Sequence, residues 1–294
     1  MPGLVDCNVH LWDQTTNPIF WLSDRTLVRD LIGDYDSLPD IYTLADYQRE
    51  VAGRRVRGIV WSDAGAQDPI AAANWVQRQC DELDTPAALV TLGDPADDSF
   101  ADLIERFCTL PLARSVRVRL APALAQRAGQ RSLLDEDGTM ANLELLAQYE
   151  LVATIEAMGD QLGVVADLAR ALPTLRIVVD HFGWPEDLTE QALAAHRERL
   201  FAIASESNTA TRIDAIGTIF GEWTTDRIRP WLRAAIDAFG PERCMLGSDL
   251  PIERLRCGFR RLYDSYQDIF SDLADGARDA LFGATAERWY GIRA

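Results

Sequence analysis

Lysine is absent from this sequence: all 29 basic residues are arginine. Schiff-base catalysis, pyridoxal phosphate attachment, a P-loop lysine and a carbamylated-lysine metal bridge each need that amine, so all four are excluded. Histidine is nearly as scarce, with three copies at positions 10, 181 and 196. The five cysteines (Cys7, Cys80, Cys108, Cys244, Cys257) show no CxxC or CxxxC spacing. That pattern suits reduced thiols better than a disulfide framework or a zinc cluster. No apolar tract is long enough to span a bilayer as a helix. The opening Met1-Pro2-Gly3-Leu4-Val5-Asp6 has neither a basic n-region nor an apolar h-region, and a cytoplasmic location is expected. A formal charge of -17 repels phosphate backbones and anionic lipid. The expected partner is therefore a small molecule, not nucleic acid or membrane, with a homo-oligomer left open. No GxGxxG follows the first apolar run, and no GxSxG elbow is present.

Short β-branched runs alternate with longer helical patterns throughout. The strands are expected at Leu4–Asn8, Gly58–Ser62, Ala87–Leu92, Ser115–Leu120, Leu151–Glu156, Arg176–Asp180, Thr211–Ile216 and Cys244–Gly247. Helical patterns fall between them at Ile70–Glu82, Leu143–Gln148, Gln161–Ala171, Gln191–Ser205, Ile228–Phe239 and Gly276–Leu281. Eight β-then-α units over residues 1–294 predict one α/β domain, a (β/α)₈ barrel with its chemistry on the loops after the strands. Residues 12–42, the loop between strand one and the first helix, are the longest irregular segment and a candidate lid.

Strand one reads Asp6-Cys7-Asn8-Val9-His10. Period 2 puts Asp6, Asn8 and His10 on one face, predicted to point into the barrel with His10 at its mouth. Strand six ends in Asp180-His181 before a Gly/Pro turn, and strand eight ends in Gly247-Ser248-Asp249 before Pro251. Two histidines and an aspartate so far apart in sequence converge only if the barrel closes. His196 lies inside a helical pattern and is read as a surface or packing residue. Arg117 and Arg119 alternate with Val116 and Val118, so both guanidinium groups should face the interior or rim. There they could bind a substrate carboxylate, or be taken up by inward acids such as Asp6, Glu156 and Asp214. Trp12, Trp21, Trp61, Trp184 and Trp223 are placed just past strand ends, where aromatic walls suit a cyclic ligand.

Several of these segments together resemble the amidohydrolase superfamily, in its amidohydrolase-related (amidohydrolase 2) branch. The nearest likeness is to the sugar lactonase and 2-pyrone-4,6-dicarboxylate lactonase group. "DCNVHLW" resembles the branch's Asp-x-His-x-His-x-Trp opening, "SVRVRL" its strand four, "IVVDHFGWP" its strand six and "FGPERCMLGSDLP" its strand eight. Three positions depart from the pattern. Asn8 replaces the first histidine of the strand-one pair, strand five ends in Glu156 and Met158 instead of a histidine, and Asp214 replaces a lysine.

The resemblance implies a lactone-opening hydrolase in which Asp249 activates water while His10 and His181 polarise the carbonyl. Arg117, Asn8, Arg119, Trp61 and Trp184 are then the expected substrate contacts. With so few imidazoles no metal is favoured. If a weak zinc or manganese site exists, its expected ligands are His10, Asp249, His181 and Glu156. Two other readings remain on the same fold: a decarboxylase of aromatic or unsaturated acids, and a non-catalytic ligand-binding barrel.

Overall fold

The structure, a computed structural model, describes residues 3–120 and 138–293. Eight parallel strands follow one another around a sheet: β1 Leu4–Val9, β2 Val56–Ser62, β3 Ala87–Leu92, β4 Ala113–Arg119, β5 Val152–Glu156, β6 Ile177–Val179, β7 Thr209–Ile213 and β8 Cys244–Leu246. Each pairs with the next, and the first and last meet just past β8. There His10 N donates to the Leu250 carbonyl and Asp249 N to the Asn8 carbonyl, both at 2.8 Å. A Cβ added to Gly247 would lie 2.8 Å from the Asn8 backbone nitrogen, so only glycine lets the two strands approach this closely. The result is the expected (β/α)₈ barrel.

Helices α1 Leu44–Glu50, α2 Pro69–Glu82, α3 Phe100–Phe107, α4 Thr139–Gln148, α5 Gln161–Ala171, α6 Glu190–Ala204, α7 Thr225–Phe239 and α8 Phe259–Ile269 cover the outside. Their starts follow from capping: Thr43, Asp68, Thr189 and Thr224 accept from backbone N–H groups in the first turns of α1, α2, α6 and α7. Ile70, Ala73, Val76, Gln77 and Cys80 form the buried face of α2 at helical spacing, as expected.

The interior falls into two layers. At the N-terminal end Val5, Cys7, Val60, Ala88, Val90, Val152, Val178, Ala210 and Met245 pack together, with Tyr290 and Ile292 beneath them. Here the expectation for strand one is corrected. Cys7 belongs to this inward cluster, while Asp6 turns outward, where its carboxylate accepts from Tyr47 Oη of α1 and Ser248 N. The pairing of β1 with β2 is irregular between Asp6 and Val9. That irregularity shifts the alternation, so strict period 2 cannot run from Asp6 to His10.

Residues 12–42 are ordered across the mouth. Trp12–Asp13 and Ile41–Tyr42 pair antiparallel at the base, with short helices Phe20–Ser23 and Arg29–Ile32 between. Arg25, Arg29, Asp34, Asp36 and Asp40 form ion pairs on the outer side, whereas Trp21, Val28 and Ile32 are buried beneath.

Candidate active site

Above the apolar layer, the same inward positions of β4 to β7 become charged. On β4, Ser115, Arg117 and Arg119 alternate with Val116 and Val118, which pack outward, as predicted for both arginines. Thr154 and Glu156 of β5, Asp180 just past β6, and Arg212 and Asp214 of the β7 run complete the layer, all fully or almost fully buried. Buried charges persist only when paired. Arg212 donates from Nε to Asp180 Oδ1 at 2.7 Å, and from Nη1 to the Cys7 carbonyl and Ser62 Oγ, each at 2.9 Å. Burial opposes ionisation of Asp180, but the guanidinium groups of Arg212 and Arg117 outweigh it and hold that carboxyl well below the usual range.

Arg117 has three partners. Its Nε pairs with Asp180 at 2.7 Å, and its Nη2 lies 3.1 Å from Glu156 Oε2 and 2.8 Å from His181 Nε2. An arginine N–H can only donate, so Nε2 accepts and the His181 proton sits on Nδ1, donated to Asp214 Oδ1 at 2.5 Å. Burial lowers the basicity of His181, and Asp214 and Asp180 more than restore it. The Arg117 contact nevertheless occupies the lone pair a second proton would need. His181 is thus held as the neutral Nδ1–H imidazole.

Glu156, Asp180 and His181 are the one group of three ligand-type side chains, among the described residues, whose donor atoms lie within 4.8 Å of each other. The cation they already share is Arg117. A divalent ion in that place would have to displace a guanidinium that is ion-paired with Glu156 and Asp180 and hydrogen-bonded to His181. The expected quartet of His10, Asp249, His181 and Glu156 does not form such a group. His10 and Asp249 sit together, apart from the group around Arg117.

Asp249 stands at the opposite wall, with φ at 60°. Its Oδ1 accepts from Asn8 Nδ2 at 3.0 Å and faces His10 Nε2 at 3.1 Å. His10 Nδ1 lies 2.7 Å from the Ser62 carbonyl, which can only accept. The ring therefore spends its Nδ1 proton there, and the Nε2···Oδ1 contact requires a second proton shared by His10 and Asp249. Left-handed backbone recurs around this rim, at His181, Phe182, Trp184, Ala215 and Asp249. Strained conformations of this kind concentrate at functional sites.

The pocket between these walls is narrow, about 60 Å³, and is lined by His10, Asp249, Arg117, Arg119, His181 and Trp184 together with side chains of the cover. Trp184 packs edge-on to His181, ring centroids 5.0 Å apart. Two expected substrate contacts are not there. Trp61 lies within β2, donates to the Leu11 carbonyl at 3.1 Å and lines a separate cleft with Trp12 and Trp75, because its strand position faces outward. Asn8 is fully buried behind the wall and spends its amide on Asp249. Arg117 does line the pocket, but its guanidinium is committed to internal pairing with Glu156, the alternative weighed for it, and with Asp180. Arg119 differs. Its Nε pairs with Glu156 at 3.1 Å, yet burial outweighs its partners and leaves it less favourably charged than an ordinary arginine.

His196 is a packing residue. It donates from Nε2 to the Phe182 carbonyl at 3.0 Å, supporting the strained turn after β6, and burial lowers its pKa to about 4. Asp180 and Arg212 were overlooked as site residues in the sequence. Arg212 carries a signal like that of Arg117, charged residues at alternate strand positions (Arg212 and Asp214 on either side of the outward-packed Ile213).

The family model described as Amidohydrolase matches residues 5–292. An uncharacterized protein, y4mH, of Sinorhizobium fredii is 25% identical over 298 residues, covering 99% of each chain. An L-fucono-1,5-lactonase of Burkholderia multivorans is 28% identical over 185 residues, spanning 58% of this chain and 61% of its own. Among solved structures, an amidohydrolase of Burkholderia multivorans with bound zinc superposes with a TM-score of 0.81 at 22% identity, covering 99% of this chain and 100% of its own.

Proposed function

This chain belongs to the amidohydrolase family and is a hydrolase; on that premise we propose that it opens a lactone, using Asp249 to activate water and fixed arginine charge to stabilise the oxyanion. One observation carries the reading: a buried carboxylate, aimed by Asn8 and His10, faces a pocket whose other wall holds Arg117 and Arg119. The likeness to an L-fucono-1,5-lactonase supports the same reaction class.

Asp249 takes a proton from water as the oxygen adds to the lactone carbonyl. The developing oxyanion receives N–H donation from Arg119, with Arg117 beside it as a cation locked by its partners. The ring C–O bond then breaks, and the proton taken up by the His10–Asp249 pair passes to the departing alkoxide, leaving a hydroxy acid. His181 accepts from Arg117 and so aims that guanidinium; it does not donate to the carbonyl in this arrangement. Asn8 positions Asp249.

Asp249→Asn keeps the shape and removes the base, so turnover on a lactone should fall by roughly 10²-fold or more with the fold intact. Prolonged dialysis of the unmodified enzyme against a chelator should leave its rate unchanged. An active, folded Asn variant removes Asp249 from the reaction. Loss of activity on chelation, restored by zinc or manganese, would overturn the arginine-based mechanism.

A further inference from the structure

The floor and roof of the pocket make opposite demands on a ligand. The floor is the ionic layer. The roof is Trp21, Val28, Leu31 and Ile32 from the cover, with Ala64 and Ile252 beside them. The one polar group of Trp21 is already used, since its indole N–H donates to the Ala64 carbonyl at 2.8 Å. Among the described lining residues, Thr218 is the only uncharged side chain with a hydroxyl.

The roof is also fixed in place. Tyr35 Oη bonds the Trp21 and Asp24 carbonyls at 3.0 and 3.1 Å, and Arg256 Nη2 donates to the Ile32 carbonyl at 3.1 Å, tying the cover to the wall that follows Asp249. The outer side of the same segment carries its ion pairs, so the apolar underside is a face turned toward the pocket.

From this we infer that the substrate is a small lactone bearing an alkyl or aryl substituent, seated with its ester over the charged floor and its apolar part against the cover. The inference rests on the lactonase reading and names the class of lactone. A polyhydroxylated sugar lactone fits poorly, because its hydroxyls would exchange water for alkyl and indole carbon. The narrow pocket, about 60 Å³, suits a short substituent.

The test compares kcat/KM of the intact enzyme on five-membered lactones carrying methyl, ethyl and propyl groups with that on a sugar lactone of the same ring size. Each added methylene should raise kcat/KM about fourfold, the factor that corresponds to ~0.8 kcal/mol per buried CH₂. The propyl lactone should exceed the sugar lactone by at least tenfold. Leu31→Asn should flatten the series to less than twofold per methylene.

Calorimetric binding of the matching alkyl lactams, checked beforehand to stay intact with the enzyme, gives a readout independent of turnover, and affinity should rise by the same step. A flat series in both kinetics and lactam binding, or a preference for the sugar lactone, overturns the inference and leaves the lactonase reading standing. If no lactone is opened while lactam affinity still climbs with chain length, the reaction is wrong and the apolar ligand class is upheld.

Discussion

Near its N-terminal end the barrel is filled by Val5, Cys7, Val60, Ala88, Val90, Val152, Val178, Ala210 and Met245; nearer its mouth, the next inward positions hold Arg117, Glu156, Asp180, Arg212 and Asp214. Both layers are buried, and both are set by the same alternation along the same strands. The lower one is held by apolar burial, which is additive and forgiving of exchange. The upper one is held by charges that are tolerable only as a set, because each buried ion depends on its partners to offset desolvation. A barrel gains little stability from such a lattice. It does gain rigid donors and acceptors whose geometry is fixed before any substrate arrives, which is what stabilising a developing charge requires.

The contrast is sharpest between neighbours on one strand run. Asp180 is shared by Arg117 and Arg212, so Asp180→Asn should cost about 3–5 kcal/mol by stranding guanidinium charge. Val178→Ala, two residues earlier in the apolar layer, should cost about 2 kcal/mol. Urea unfolding of both variants measures the gap; equal losses would mean that the ionic layer behaves as ordinary packing.

A second break uses Glu253, a buried carboxyl that forms no ion pair among the described residues. Glu253 accepts from Gly217 N at 2.7 Å, and burial pushes its pKa from 4.5 up to about 8, opposite in direction to Asp180 and Glu156. Its folded value lies above its unfolded one, so the stability it contributes is complete below about pH 4.5 and is lost as pH rises toward 8. Relative to the unmodified protein, Glu253→Gln should therefore gain stability across that window, by up to about 1.4 kcal/mol per pH unit. Melting curves at successive pH values check this, and a constant difference would show that Glu253 is ionised throughout.

The smallest expected effect is at the surface. Arg197 and Asp237 pair at 3.0 Å with both side chains about two-fifths exposed, so Arg197→Ala should change stability by less than about 1 kcal/mol, and less still in high salt. A loss as large as that of Asp180→Asn would erase the distinction between paired charge inside the barrel and paired charge outside it.

Much of this protein was legible in one dimension. Strand Ala87–Leu92 and helix Gln161–Ala171 fall where their patterns predict, because apolar periodicity is a local property and burial enforces it. The charged ends of strands four, six and eight were legible for the same reason, since a polar residue closing an apolar strand in a barrel has the mouth to occupy. Helix Phe259–Ile269 was missed: its buried face is built largely from Phe259, Tyr263 and Tyr266 instead of an aliphatic stripe.

What only the tertiary structure decided is pairing. Whether Arg117 is free for a ligand depends on Glu156, Asp180 and His181, which arrive from two other strand ends. Whether Asp6 faces in or out depends on an irregularity that β1 acquires by docking against β2. A strand's own alternation fixes which side chains share a face. The identity of the opposing charges, and the register that turns a face inward, exist only after the barrel has closed.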